Sequence, residues 1–282
     1  SSDTTWRDSY VRLKISKIES LAAHMVTHYT DGQIARVGGT YQSWDGSAYQ
    51  TVDVADLELT YSGSLSQAMW VSLVDQTLNS MQPCDSASEA AGSAGVAYSG
   101  PSQAAGGSKV VTVDTLGMST TLTFAVCYAE GSGDSSDTTW ADSGIRLTVS
   151  KVTSVEYGEA HSSLPVRTWR STNIMAATSR LPQVAGAVIT YTGDLGNGQY
   201  VSVVDVSANS YNPCVAGAQA AHAADGTHSG AQPAAGSSKA VTIPQSTLLQ
   251  DDTTYTVCYA AGYGNSSDTT WRDSYVRLKI SK

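Results

Sequence analysis

One 17-residue segment sets the frame for the whole chain. SSDTTWRDSYVRLKISK stands at Ser1–Lys17 and returns letter for letter at Ser266–Lys282, and a diverged copy at Ser135–Lys151 keeps 12 of the 17 letters. The offsets are 135 − 1 = 134 and 266 − 135 = 131 residues, so two units of nearly equal length alternate. Self-similarity at a fixed period is typical of repeat architectures. The sequence predicts module A at 18–151 and module B at 152–282, with 1–17 the closing strand of a preceding module in a longer tandem array.

The end of the repeated segment has the period of a half-buried β-strand. Apolar residues alternate with polar ones in all three copies, and this alternation survives substitution in the middle copy. Such a period of two predicts one face toward a core and one toward solvent. The inward residues are predicted to be Val11, Leu13 and Ile15, then Ile145, Leu147 and Val149, then Val276, Leu278 and Ile280. Only 15% of residues are charged, which also suits a β-rich chain with many turns.

Further strand patterns recur in both modules. The segments 57–61 and 68–74 read as a hairpin, and 187–191 with 199–204 repeats it. Near the end of module A, Phe124 and Val126 share one face of a strand and Cys127 points the other way. This strand and the closing strand are predicted to form a hairpin with a long tip that carries a tryptophan.

The four cysteines fall into two similar pairs. Cys84 and Cys127 are 43 residues apart, and Cys214 and Cys258 are 44 apart. Nearly equal spacing in a chain that is otherwise free of cysteine predicts one disulfide per module, the alternative being pairs of buried thiols. Disulfides imply an oxidising, extracellular setting. Each ring would enclose a long stretch of Ala, Gly and Ser, at 85–108 and 215–238, and loops of that length are often functional or contact surfaces.

Charge and hydropathy exclude some classes of partner. The net charge is −9 and the pI about 4.9, with lysine and arginine dispersed, so the chain lacks the basic patch that nucleic acids require. An acidic chain is also repelled by anionic lipid surfaces. No apolar run approaches the 18 or more residues of a membrane span, so no span is predicted in this window.

The predicted hairpin tips carry candidate interface and ion-binding residues. Trp6, Trp140 and Trp271 could stack on a sugar, dock on the next module or fold back onto their own core. Carboxylate pairs flank each of them and could hold Ca²⁺, although the alternative is a set of turn hydrogen bonds. The carboxylate pairs are Asp3 with Asp8, Asp137 with Asp142, and Asp268 with Asp273.

Other motifs point away from catalysis and metal binding. There is no Gly-x-Ser-x-Gly elbow, no P-loop, no Cys-x-x-Cys and no His/Asp/Ser set that recurs in both modules, so no enzyme is predicted and no cofactor. His24 and His28, placed on one strand, would lie about 13 Å apart, too far to share a metal. His161, His222 and His228 do not match them in the repeat, so no metal site is predicted. Asn265-Ser-Ser fits a glycosylation sequon, whose counterpart in module A is Asp134.

The last third of each module resembles a known family of domains. Tyr-Thr-Val-Cys-Tyr-Ala-Ala-Gly followed by Tyr-Val-Arg-Leu-Lys-Ile is similar to the final two strands of immunoglobulin-like and fibronectin-type-III-like modules. The Cys…Trp…Cys arrangement of antibody domains is missing, because no tryptophan lies between the paired cysteines. The resemblance implies an all-β chain of two Ig-like antiparallel β-sandwich modules. The overall pattern resembles giant repeat proteins of cell surfaces, filaments and flagellar hairs.

Two functions are consistent with these observations. The first is a structural repeat unit of a long extracellular filament or cell-surface appendage, whose partners are neighbouring copies of the repeat. The second is a cell-surface adhesin whose loops bind glycans or a surface, with calcium assisting. A fibre unit is expected to bury its Ala/Gly-rich loops against neighbouring modules, whereas an adhesin is expected to leave the loops or the tryptophan tips free.

Overall fold

The protein is mainly β-structure. The computed structural model describes residues 5, 15–44, 47–157, 167–170, 179–184, 186–244 and 249–281. The strands of module A are β1 (Ser20–Ala23), β2 (Val26–His28), β3 (Asp31–Ile34), β4 (Thr40–Trp44), β5 (Tyr49–Asp53), β6 (Leu57–Ser62), β7 (Trp70–Asp75), β8 (Ser102–Gln103), β9 (Val110–Val113), β10 (Phe124–Ala129) and β11 (Ala141–Val149). A one-turn helix, α1 (Ala87–Ala90), follows a 3₁₀ turn at Pro83–Asp85.

Module B repeats most of these elements. Its strands are β12 (Val152–Tyr157), β13 (Arg167–Arg170), β14 (Arg180–Pro182), β15 (Ala187–Gly193), β16 (Tyr200–Asp205), β17 (Gln232–Pro233), β18 (Ala240–Ile243), β19 (Thr254–Ala260) and β20 (Arg272–Ser281). The one-turn helix α2 (Gly217–Ala220) is the counterpart of α1. No helix among the described residues is long and apolar enough to cross a bilayer.

Each module contains a four-stranded and a five-stranded sheet. The orders are β2-β1-β6-β9 and β3-β11-β10-β7-β8 in module A, and β13-β12-β15-β18 and β14-β20-β19-β16-β17 in module B. The β4 and β5 strands form a separate hairpin. The prediction of antiparallel sheets holds for most pairs, but β3–β11 and β14–β20 are parallel. A chain segment that crosses from one sheet to the other, and does not turn back in a hairpin, can run parallel to the last strand of the module.

The two sheets of a module face each other across an apolar core. In module A, Leu59 from one sheet and Leu147 from the other belong to the same buried cluster. Module B has an equivalent cluster that includes Ile189 and Leu278. The predicted inward faces of the closing strands are confirmed, because their alternating apolar residues are all buried: Ile145, Leu147 and Val149, and Val276, Leu278 and Ile280. The predicted solvent face is wrong for β20, because Tyr275 and Arg277 on that face are also buried.

The hairpin prediction for the middle of each module is wrong. β6 lies in the four-stranded sheet and β7 in the five-stranded sheet, so the turn between them connects two layers. β15 and β16 are separated in the same way. β6 alternates between buried and exposed residues, whereas β7 is buried on both faces. Two strand patterns on either side of a short turn do not show which sheet the second strand joins. The predicted hairpin of the last two strands is confirmed by the antiparallel pairs β10–β11 and β19–β20.

Ile15 differs from its counterparts in the other copies of the repeated segment. It is 83% exposed and lies outside the described strands, whereas Val149 and Ile280 are each 2% exposed within a sheet. A strand face is buried only where another layer covers it, and no described strand pairs with residues 15–17. Val11 and Leu13 lie outside the described residues.

A left-handed turn precedes the first cysteine of each module. Asn79, Ser80 and Met81 have φ values of 46°, 56° and 70°, and Asn209, Ser210 and Tyr211 have 49°, 55° and 67°. Residues other than glycine pay about 1–2 kcal/mol each in this conformation. The asparagine amide of each turn donates to a carbonyl three residues on, Gln82 O at 2.8 Å in module A.

Ser80→Gly should raise the free energy of unfolding of module A by about 0.5–1 kcal/mol, because relief of left-handed strain exceeds the added freedom of the unfolded chain. Urea unfolding of the purified chain measures this. The matched control is Ser93→Gly, an exposed serine without positive φ, which should lower stability. Equal losses in both variants would contradict the prediction.

Candidate functional site

The described tryptophans of the hairpin tips are buried inside their own modules. Trp140 is 7% exposed and packs with the cysteines of module A, and Trp271 is fully buried with those of module B. Each indole N–H donates to a backbone carbonyl of the tip, Asp134 O at 3.1 Å and Asn265 O at 3.0 Å. Trp6 lies outside the described residues. The structure therefore places these two indoles against their own core, the third of the alternatives set out above.

Both disulfides form within a module. Cys84 bonds Cys127 and Cys214 bonds Cys258, with Cα atoms 5.3 Å apart in each pair. Cys127 points away from the inter-sheet core, as predicted, so the bond fastens the Ala/Gly/Ser-rich segment onto the outer face of the five-stranded sheet. As a result every residue of β10 is buried, on both faces. Two disulfides indicate an oxidising environment.

The tip carboxylates have protein partners. Asp137 accepts hydrogen bonds from Gly133 N and from Thr139 N and Oγ1, and Asp268 accepts from the equivalent groups. Although burial raises it, these hydrogen bonds hold the pKa of Asp137 below its usual value. The other member of each pair meets an arginine, Asp142 with Arg146 in module A. The calcium interpretation of these pairs remains a prediction, and Asp3 and Asp8 lie outside the described residues.

Asn265 lies on an exposed turn. Its side-chain oxygen accepts hydrogen bonds from Ser267 N at 3.0 Å and Ser267 Oγ at 2.8 Å. Asp134 makes the same pair of hydrogen bonds with Ser136 in module A. Glycosylation of Asn265 remains a prediction.

Gln33 of module A is the centre of the contact between the modules. It is 8% exposed, and its side-chain N–H donates to Asp273 O at 2.7 Å. Its side-chain oxygen accepts from the hydroxyl of Tyr259 at 3.2 Å, and its backbone carbonyl accepts from the hydroxyl of Tyr275. Burial raises the pKa of both tyrosines, so both hydroxyls stay protonated as donors. Each hydrogen-bonding group of this one side chain is thus satisfied by module B.

Tyr275 enters the core of the neighbouring module. It is 2% exposed and belongs to the apolar cluster of module A, although it lies on β20 of module B. Its ring centroid is 5.2 Å from that of His24. Its φ is +61°, an outlier for a bulky residue that persists only where surrounding contacts impose it. Gly144 occupies the same place in the closing strand of module A, with φ +82° and open space around it.

Two further contacts lie at the junction. The Arg36 guanidinium meets Asp194 Oδ2 at 2.7 Å, and the hydroxyl of Thr120 donates to the same oxygen at 3.1 Å. The backbone N–H of Lys151, between the modules, donates to the hydroxyl of Tyr259 at 3.0 Å. The Asp194 side chain is 51% exposed, so this ion pair contributes at most about 1 kcal/mol. Gln33 and Tyr275 dominate the junction because they are buried.

A cleft of about 430 Å³ opens beside these residues. Its lining includes His28 and Arg146 from module A and Arg272 and Val215 from module B. His28 is buried, so desolvation lowers the pKa of its imidazole, although the charge of Asp31 opposes the shift. His24 and His28 do not lie on one strand, because β1 ends at Ala23 and His24 lies in the turn before β2.

No model of a known protein family matches this sequence, and no curated protein matches it. The described part of the chain is mainly β-structure with two disulfides. Its repeated closing segment brings a tyrosine of module B into the core of module A.

Sequence reasoning missed two groups of residues. The sequence contains a signal for the role of Tyr275. Tyrosine in one copy of a repeated strand and glycine at the equivalent position of another indicate a special backbone conformation. The second group is His222, Asp225 and His228, whose side chains lie together on the loop after α2. The sequence signal for this group is that its successive members are three residues apart. Comparison of equivalent positions in the two modules hid this signal.

Proposed function

We propose that this chain is a structural repeat unit of a long extracellular tandem-repeat filament or cell-surface appendage. In this proposal each module is an Ig-like β-sandwich and neighbouring copies of the repeat are the partners. The observation that carries the proposal is the buried junction, where Gln33 and Tyr275 connect consecutive modules. A chain of modules with buried junctions extends as a rod of defined geometry, because short linkers and shared cores restrict the angle between neighbours.

The proposal includes two kinds of junction that alternate along the array. Strand register places Arg180 of module B where module A has Gln33, because Thr148 pairs with Gln33 and Lys279 pairs with Arg180. Arginine has no acceptor for a tyrosine hydroxyl. The closing strand of module A has Gly144 in place of Tyr275. A junction in which module B precedes module A would therefore lack both buried contacts.

The ion pair of Arg36 with Asp194 is also specific to one junction. Gly63 and Gly193 have φ values of 107° and 108° and mark the same turn, so Ser64 is the counterpart of Asp194. Serine cannot pair with an arginine charge. We propose that modules A and B form a stiff pair, and that successive pairs meet through a different and more compliant junction.

Tyr275→Gly tests the junction. The variant should keep both modules folded, because glycine already occupies this position in module A, but the pair should lose its fixed geometry. Small-angle X-ray scattering should show a larger radius of gyration, and hydrogen exchange should show at least tenfold less protection of Gln33 and its neighbours. The control is Tyr263→Gly, since Tyr263 is 83% exposed. Unchanged scattering by Tyr275→Gly would contradict the proposed stiff pair.

Imaging of the native material tests the function itself. Antibodies against this chain should label filaments or surface appendages, and averaged images should show a repeat of two modules along the axis. The contrary result is isolated chains that bind a glycan array or a surface. That result would favour the adhesin alternative, with the cleft lined by His28 and Arg272 as its first candidate site.

A further inference from the structure

Three side chains with metal-binding chemistry meet on one loop of module B. His222, Asp225 and His228 each offer one ligand atom, and these atoms lie within 4.8 Å of one another. The loop is held in place from both ends. Helix α2 ends at Ala220, and His228 forms a β-bridge with Val204 of β16. Backbone N–H groups of Thr227 and His228 donate to Asp225 Oδ1, which fixes the carboxylate in the middle.

The orientation of His228 favours a cation beside it. Its Nε2 lies 3.3 Å from the side-chain oxygen of Gln219, which accepts a hydrogen bond from an Nε2–H. In the neutral ring this tautomer leaves a lone pair on Nδ1, which faces the Thr227 hydroxyl at 2.9 Å and Asp225 Oδ1 at 3.1 Å. The Thr227 hydroxyl lies 2.9 Å from both atoms, and a metal ion on Nδ1 would leave this hydroxyl to donate to the carboxylate. Histidines that bind metals commonly donate their other N–H to an oxygen acceptor, as His228 does here.

His222 completes the set from the solvent side. Its ring centroid is 4.4 Å from that of His228, and its Nδ1 lies 3.5 Å from Asp225 Oδ2. The side chain is 47% exposed, so its ring can turn without displacing core residues. Zinc binds histidine nitrogen at about 2 Å, so neighbouring ligand atoms stand about 3–4 Å apart. The Nδ1 of His222 also lies 2.9 Å from the carbonyl oxygen of Ala223, so the ring has to rotate away from that contact to bind an ion at this spacing.

We propose that His222, Asp225 and His228 bind a divalent transition-metal ion of the zinc type. Two imidazoles and a carboxylate suit Zn²⁺, Ni²⁺ or Cu²⁺ better than the all-oxygen cations Ca²⁺ and Mg²⁺. The half-exposed positions of His222 and Asp225 leave room for water as a further ligand.

The site belongs to module B alone. At an offset of 130 residues the counterparts in module A are Gly92, Gly95 and Tyr98. The Tyr98 hydroxyl donates to Glu89, the counterpart of Gln219, at 2.5 Å. Each two-module repeat therefore carries one metal site.

Titration of the purified full chain with Zn²⁺, followed by calorimetry, tests the proposal. One ion should bind per chain, and Co²⁺ should give visible absorption bands typical of nitrogen ligands. His222→Gln and His228→Gln should each weaken Zn²⁺ binding on the order of tenfold or more, and Asp225→Asn should do the same while it keeps the turn acceptor. Circular dichroism checks that each variant is folded.

Asp205→Asn is the matched control. Asp205 makes the same kind of turn, since its Oδ1 accepts from Ser207 N and Oγ at 2.8 Å, but it lies outside the histidine cluster. This variant should bind Zn²⁺ as tightly as the parent chain. The proposal is overturned if the parent chain binds no Zn²⁺, or if the double variant His222→Gln with His228→Gln retains the same stoichiometry and affinity.

Discussion

Arg277→Met should destabilise module B by about 3–5 kcal/mol, because it leaves a buried carboxylate without its counter-charge. The Arg277 side chain is 1% exposed and makes two hydrogen bonds to Asp273, at 2.9 and 2.8 Å. Thr256 Oγ1 and Tyr275 N also donate to Asp273, but neither carries a charge. Native-state hydrogen exchange of β19 measures the loss in module B separately from module A.

Arg146→Met provides the matched control for this prediction. Arg146 and Asp142 form the same pair at the same position of module A, but their side chains are 28% and 33% exposed. Although burial opposes it, the hydrogen bonds from Arg146 and Gly144 N lower the pKa of Asp142. A half-exposed pair contributes about 1 kcal/mol or less, so exchange of β10 should change little. Similar losses in both modules would contradict the role assigned to burial.

This contrast also shows which features of the fold can be predicted from the sequence. The pattern Asp-x-x-x-Arg is present in all copies of the repeated segment, and nothing in it distinguishes a buried pair from a half-exposed one. Alternation of apolar residues in the closing strands identified their buried face, because a period of two reports local burial directly. Such patterns could not distinguish a hairpin from a crossing between layers at 57–61 and 68–74, since a short turn joins the two strands in either case.

The candidate site depended on contacts that are distant in sequence. The equal cysteine spacings identified both disulfides. By contrast, Gln33 and Asp273 are 240 residues apart, and no local pattern joins them. The tryptophans of the hairpin tips are predicted interface residues because large apolar side chains near polar turns are often contact residues. Trp140 and Trp271 are instead buried, because the loop inside each disulfide ring builds a second small core beneath them.

Replacement of one disulfide should destabilise its own module by up to about 4 kcal/mol. The double variant Cys84→Ala with Cys127→Ala removes a bond that closes a segment of 43 residues, and the chain-entropy model gives that value for a loop of this size. It should also release the covering segment from β10 and expose Trp140 to solvent. Loss of exchange protection in β10, measured by mass spectrometry, and quenching of tryptophan fluorescence by acrylamide both report the change.

The second module serves as the internal reference. Cys214 and Cys258 remain bonded in that variant, so protection of β19 should be unchanged. The reciprocal variant, Cys214→Ala with Cys258→Ala, should reverse the pattern. Loss of protection in both strands at once would show that the modules unfold as one unit. A loss below about 1 kcal/mol in β10 would mean that its packing, and not the covalent bond, fixes the covering segment.

The parallel pairs β3–β11 and β14–β20 have a mechanical consequence. Tension that reaches the start of β14 and the end of β20 draws two parallel strands past each other, so their backbone hydrogen bonds bear the load simultaneously. An antiparallel pair pulled open from one end would instead break its bonds one after another. In the proposed filament each module therefore contains a patch that is loaded in shear, and rupture there requires a larger force than sequential unzipping of the same number of bonds.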